Sequence, residues 1–163
     1  MTPDEIRRES ERQNGVLSLD GDYLRYKHHG KEVWALFVPS LVLIAEHTND
    51  SGPFVCDYFY VFIAGEPLIE FEAPMYAGPA ILGALSARMQ TQFGPGLASS
   101  TEFKSRVIWP PSLAGQPFYE YGAVRRSGIF GWVMDRVFPR IGYNYTERVR
   151  ECLESRRQER GDS

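Results

Sequence analysis

Short apolar runs separated by turn residues fill the first two thirds of the chain. Val16–Leu19, Tyr23–Lys27 and Val33–Val38 are apolar or alternating, and Asp20-Gly21-Asp22 and His28-His29-Gly30-Lys31 separate them. That texture predicts a β-meander, since alternation puts one face of each strand on a core and the glycine-containing breaks favour tight turns. Pro39-Ser40 interrupts the next run, after which Leu41–Glu46 predicts a further strand and His47–Pro53 a polar loop. Asp57–Ile63 and Leu68–Ala73, joined through Ala64-Gly65-Glu66-Pro67, predict a hairpin. Its first strand, DYFYVFI, is apolar on both faces and belongs at a sheet centre. In the second, Ile69, Phe71 and Ala73 share one face and Glu70 and Glu72 the other, the pattern of a half-buried edge strand.

After Pro79 the period lengthens. Ile81, Leu85, Met89 and Phe93 recur at i+4, which predicts an amphipathic helix of about 15 residues stopped by Gly94-Pro95-Gly96. Phe103–Trp109 alternates as one more strand, Pro110-Pro111 ends it, and residues 110–122 read as irregular. Ile129, Val133 and Val137 form one i+4 row and Phe130, Met134 and Phe138 another, up to Pro139. A last helix begins near Asn144, with Glu147 three residues on, and carries Val149, Cys152 and Leu153. At the start, Thr2-Pro3-Asp4-Glu5 has a capping-box layout and predicts a short helix over 3–13. The expected architecture is α+β. A short N-terminal helix occupies 1–14. A core domain over 15–123 has a mainly antiparallel six- to seven-stranded sheet, as a meander or half-barrel, with one packed amphipathic helix. A helical C-terminal extension follows over 124–163.

Composition narrows the class. With 163 residues, 43% hydrophobic and 24% charged, the chain has the make-up of one globular domain and excludes collagen, coiled coil and low-complexity disorder. The opening MTPDEIRRESERQ is charged throughout, and the longest apolar stretch, Val33–Ala45, is 13 residues broken by Pro39 and Ser40. A targeting or membrane-spanning segment is therefore not expected, and a cytoplasmic location is. Cys56 and Cys152 have no CxxC or Cys/His neighbour spacing, so neither a disulfide framework nor a metal site is expected. The net charge of −3 conceals an asymmetry: residues 1–123 hold 9 basic and 15 acidic side chains, and 124–163 hold nine arginines and six acids. A basic, apolar tail points to an interaction surface, although a solvated mixed-charge helix face produces the same count.

Candidate chemistry is sparse. His28-His29 sits in a predicted turn, where adjacent side chains diverge and chelate one metal poorly. His47 has Glu46, Asp50 and Asp57 nearby in sequence to hold its tautomer, but no G-x-S-x-G or other nucleophile motif accompanies it. Glu70 and Glu72 stand roughly 7 Å apart on one strand face, within reach of an acid/base pair, and equally what any solvent-facing strand would show. Gly94-Pro95-Gly96 lacks the features of a phosphate loop, and no cofactor is expected. Arg125-Arg126 through Pro139-Arg140 is the most suggestive stretch: Phe130, Trp132 and Phe138 stand among Arg125, Arg126, Arg136 and Arg140, a composition suited to partner docking, membrane contact or core packing.

The run Val38-Pro39-Ser40-Leu41-Val42-Leu43-Ile44-Ala45-Glu46, then Gly52-Pro53, Asp57-Tyr58-Phe59-Tyr60-Val61-Phe62 and Ser105-Arg106-Val107-Ile108-Trp109-Pro110-Pro111, resembles small uncharacterised bacterial proteins with a pleckstrin-homology-like or related half-barrel layout. The resemblance covers Tyr23 to Trp109, about half the chain, and implies a fold without a chemistry. The predicted helix over 79–93 precedes the last strand instead of closing the domain, and only nine cations are spread over 1–123, so phosphoinositide binding is not implied. The leading functional expectation is a non-catalytic binding or protein-interaction module, with a protein partner or self-association. The alternatives are a peripheral membrane-associated protein using the 125–140 segment, and a small hydrolase using His47 or Glu70 and Glu72. Nucleic-acid binding is not expected, given the acids interspersed among the arginines.

Overall fold

The computed structural model of the protein describes residues 2, 15–49, 57–97, 102–124 and 140–161. The expected helices over 3–13 and 129–138 lie outside the described residues. Strands β1 (Val16–Asp20), β2 (Tyr23–His28) and β3 (Lys31–Phe37) come first, followed by a 3-10 turn at Val38–Ser40. Next come β4 (Leu41–Thr48), β5 (Tyr58–Ala64), β6 (Ile69–Pro74), a 3-10 turn at Met75–Ala77, helix α1 (Ile81–Met89) and β7 (Lys104–Trp109). Strands β8 (Tyr119–Val124) and β9 (Arg140–Tyr145) and helix α2 (Glu147–Gly161) complete the order. The class is α+β with antiparallel sheets, and the chain divides into two compact units, Met1–Gln116 and Pro117–Ser163.

In the first unit, the single sheet expected from the sequence is two: β1-β2-β3 and β6-β5-β4-β7. The break follows from Pro39, which cannot donate to a ladder and turns the chain between β3 and β4. Within β1-β2-β3 the turns match the sequence. His29 (φ 49°) and Gly30 (φ 73°) are both left-handed between the paired His28 and Lys31, the signature of a type I′ hairpin. Leu17, Leu24, Tyr26 and Leu36 from this sheet meet Ile44, Tyr58, Tyr60 and Phe62 from the other in one core, which Ile81, Leu82 and Leu85 of α1 join. Gly78 permits the approach of the segment before α1, because a Cβ there would come within 2.8 Å of the Leu17 carbonyl oxygen.

Helix α1 is shorter than the periodicity predicts. It ends where Gln90 turns left-handed (φ 53°), with Gln90 N donating to Ala87 O at 3.3 Å and Thr91 N to Ser86 O at 3.1 Å, a Schellman motif without glycine. Phe93 still packs on the core, from outside the helix. The four-stranded sheet is buried on both faces: Leu43, Ala45, Val61, Ile63 and Val107 are as inaccessible as the core row. Its edge β6 presents Glu70 and Glu72 to solvent, as expected, and its edge β7 is met by the following turn, with Val107 N donating to Gln116 O and Gly115 N to Val107 O, both at 2.8 Å.

In the second unit, Tyr119–Val124 is a strand and not irregular chain, and it pairs with β9 from Tyr119↔Tyr145 to Val124↔Arg140. The final helix starts at Glu147, later than expected, because Asn144 is taken into β9. Thr146 leads into it, its hydroxyl donating to Pro117 O at 2.9 Å while Arg150 N returns to Thr146 O at 3.0 Å. Phe118 and Val149 are the fully buried side chains described in this unit.

Candidate functional site

Alternation along β4 sends neighbouring side chains to opposite faces of the sheet, and this separates the two most polar groups of the first unit. Glu46 follows Ile44 on the core face and is completely buried. One of its oxygens, Oε1, accepts from Arg106 Nε and from Gly96 N, both at 2.8 Å, and from Leu97 N at 3.0 Å. The other, Oε2, accepts from the Tyr58 hydroxyl. Arg106 also donates to Gly94 O at 3.0 Å. A Cβ on Gly96 would lie 2.0 Å from the Arg106 guanidinium carbon, so a larger residue there would have to displace the Arg106 side chain.

A buried carboxylate is tolerated when charge-assisted donors surround it, and Glu46 has four. Burial, together with the hydrogen bond to Glu46, pushes the Tyr58 hydroxyl far above the usual tyrosine range, so it stays a donor. Burial and the same carboxylate push Tyr60 up to about 12. The arrangement fastens residues 94–97 to the sheet. Sequence reading missed it: Glu46 entered only as a neighbour of His47. A lone acid ending the apolar run Leu41–Ala45 was the available signal.

His47 points the other way. It belongs to β4 and not to a polar loop, and its Nε2 lies 2.8 Å from Glu72 Oε2 on β6, while Asp50 lies outside the described residues. Its ring stacks on Phe59 at 5.2 Å and 14°. The backbone of Glu72 is held in turn by Trp34 Nε1, which donates to its carbonyl at 3.0 Å. The structure thus brings His47 and Glu72 together, and leaves Glu70 two residues along the same strand face. A carboxylate that orients an imidazole is half of a hydrolytic arrangement; the attacking group is the other half. Phe130, Trp132, Phe138, Arg125, Arg126 and Arg136 lie outside the described residues. Among the described residues, no cluster of three His, Cys, Asp or Glu side chains could hold a metal, and no helix is long and apolar enough to cross a membrane.

The third grouping is aromatic. In the β8–β9 ribbon Tyr119 faces Tyr145 and Tyr121 faces Tyr143, so alternation puts all four tyrosines on one face. Tyr119 and Tyr145 are nearly parallel at 6.0 Å and 7°, Tyr119 meets Tyr143 at 5.6 Å, and Tyr121 meets Tyr143 edge-on at 5.8 Å. Phe118 packs against Tyr119 at 4.3 Å and Tyr145 at 5.2 Å. The ladder passes from sheltered to open along its length: Tyr121 is 70% and Tyr143 43% exposed. The opposite face carries Glu120, Asn144 and the facing glycines Gly122 and Gly142, and Glu120 Oε1 lies 3.7 Å from Arg150 of α2. The repeated Tyr-x-Tyr of 119–121 and 143–145 was the sequence signal for this ribbon.

Compared with protein-family models, curated proteins and solved structures, the chain matches none of them.

Proposed function

We propose that the protein is a non-catalytic protein-interaction module whose contact surface is the tyrosine face of the β8–β9 ribbon. The exposure of Tyr121 and Tyr143 at the open end of a preassembled aromatic ladder carries this reading. Tyrosine suits such a surface: it offers a large apolar body, loses little conformational freedom on contact, and keeps a hydroxyl to satisfy at a partly wet boundary. The pairing of Val124 with Arg140 also brings together the two ends of the sequence containing Phe130, Trp132 and Phe138, adjacent in register to that open end.

The reading is tested with a photo-activatable phenylalanine analogue at position 121 and, as control, at exposed Glu70. A discrete protein adduct, to a second copy or to another chain, is expected from position 121 alone and is lost when Tyr143→Glu is added. Equal adducts from both positions, or none from 121, would refute it. Sedimentation with anionic vesicles that depends on Tyr121 and occurs without any protein adduct would move the surface to a membrane.

A further inference from the structure

We infer that residues 91–97 form a strap that detaches locally from the sheet, and that the buried carboxylate of Glu46 is what docks it. The strap contains neither helix nor strand, so its amides find few backbone partners. Its two halves are held differently. Thr91 and Phe93 are tied to the end of α1, with the Ser86 hydroxyl donating to Thr91 O at 2.5 Å and Phe93 N directed at the same hydroxyl at 3.4 Å. From Gly94 to Leu97 every hydrogen bond given above runs to the Glu46–Arg106 pair or to Tyr58, whose hydroxyl also lies 3.3 Å from Leu97 O.

Apolar help is limited to the partly buried side chains of Phe93 and Leu97. In contrast, β4 and β5 beneath the strap are laddered on both sides and buried on both faces. Segments held by few contacts open below the energy of global unfolding. Arg106 and Tyr58 act here as positioning residues: each orients the carboxylate, and Glu46 itself holds the two strap amides. Opening would bring Glu46, Arg106 and Tyr58 to solvent together, while both sheets stay formed.

The experiment is amide hydrogen exchange on the full chain across a urea series, resolved at Gly96 and Leu97 and at the laddered amides of β4 and β5. The expected result is exchange at Gly96 and Leu97 at least tenfold faster than in the strands, with little urea dependence. Glu46→Gln, which removes the charge, should speed these two amides at least a further tenfold and leave the β4–β5 pattern in place. If that variant does not fold, Tyr58→Phe, which frees one carboxylate oxygen, should do the same more weakly. Protection of Gly96 and Leu97 equal to that of the strands in the unmodified protein would overturn the inference. So would faster strap exchange that neither substitution changes, since Glu46 would then not be the dock.

Discussion

The four-stranded sheet and the tyrosine ribbon use aromatic residues in opposite ways. In the sheet, Tyr58, Tyr60 and Phe62 are buried, one edge carries exposed glutamates, and the other is met by a returning turn. In the ribbon four tyrosines line one face, and those at its far end are left open. A sheet sealed on both faces converts its aromatics into stability. A two-stranded ribbon, marginal alone, leaves aromatic surface exposed, the surface proposed above for contact. The difference separates residues whose loss should unfold the protein from those whose loss should silence it.

Four measurements can break or sharpen that contrast. The largest effect is expected from Phe62→Ala, which empties the centre of the core and should cost about 3–5 kcal/mol in urea unfolding; a cost under about 1 kcal/mol would mean the sheet is not the stabilising element. Arg106→Ala leaves the Glu46 charge buried with its main cation gone and should cost about 3 kcal/mol, more than Arg25→Ala, which removes a surface ion pair. Equal costs would contradict the fastening described for Glu46.

Alkaline titration comes third. Folding raises Tyr60 to about 12 and Tyr58 further, so the unfolded chain loses these protons first. Their contribution is complete below the ordinary tyrosine range near 10 and disappears as pH climbs through the folded values. Phenolate absorbance should show Tyr58 and Tyr60 still protonated well above pH 10, and Tyr60→Phe should flatten the loss of stability; ionisation of both in the ordinary tyrosine range would deny the burial. The smallest stability effect belongs to Tyr121→Ala, within about 0.5 kcal/mol of the parent protein. A large loss of stability instead would make the ribbon part of a core.

Much of the first unit was legible as periodicity. Both faces of DYFYVFI are apolar because β5 is central, and Glu70 and Glu72 alternate because β6 is an edge, so pattern and position agree. Where the reading failed, the deciding interaction was distant in sequence. Glu46 meets Arg106 sixty positions away, and His47 meets Glu72 twenty-five away, so neither pairing shows among local neighbours. Helix α1 ended early because Gln90 adopts a conformation that its identity does not advertise. The ribbon was hidden by its glycines and by the fifteen residues between its strands, although Tyr-x-Tyr occurs in both.

Those fifteen residues have a consequence for how the protein can be altered. Val124 and Arg140 are opposite one another, so pairing them bears the entropy of bringing the two ends of that connection together. Loop closure grows only logarithmically with length, and doubling the connection costs roughly 0.6 kcal/mol more. Lengthening the connection between Val124 and Arg140 is therefore expected to add little closure entropy to the cost of pairing β8 with β9.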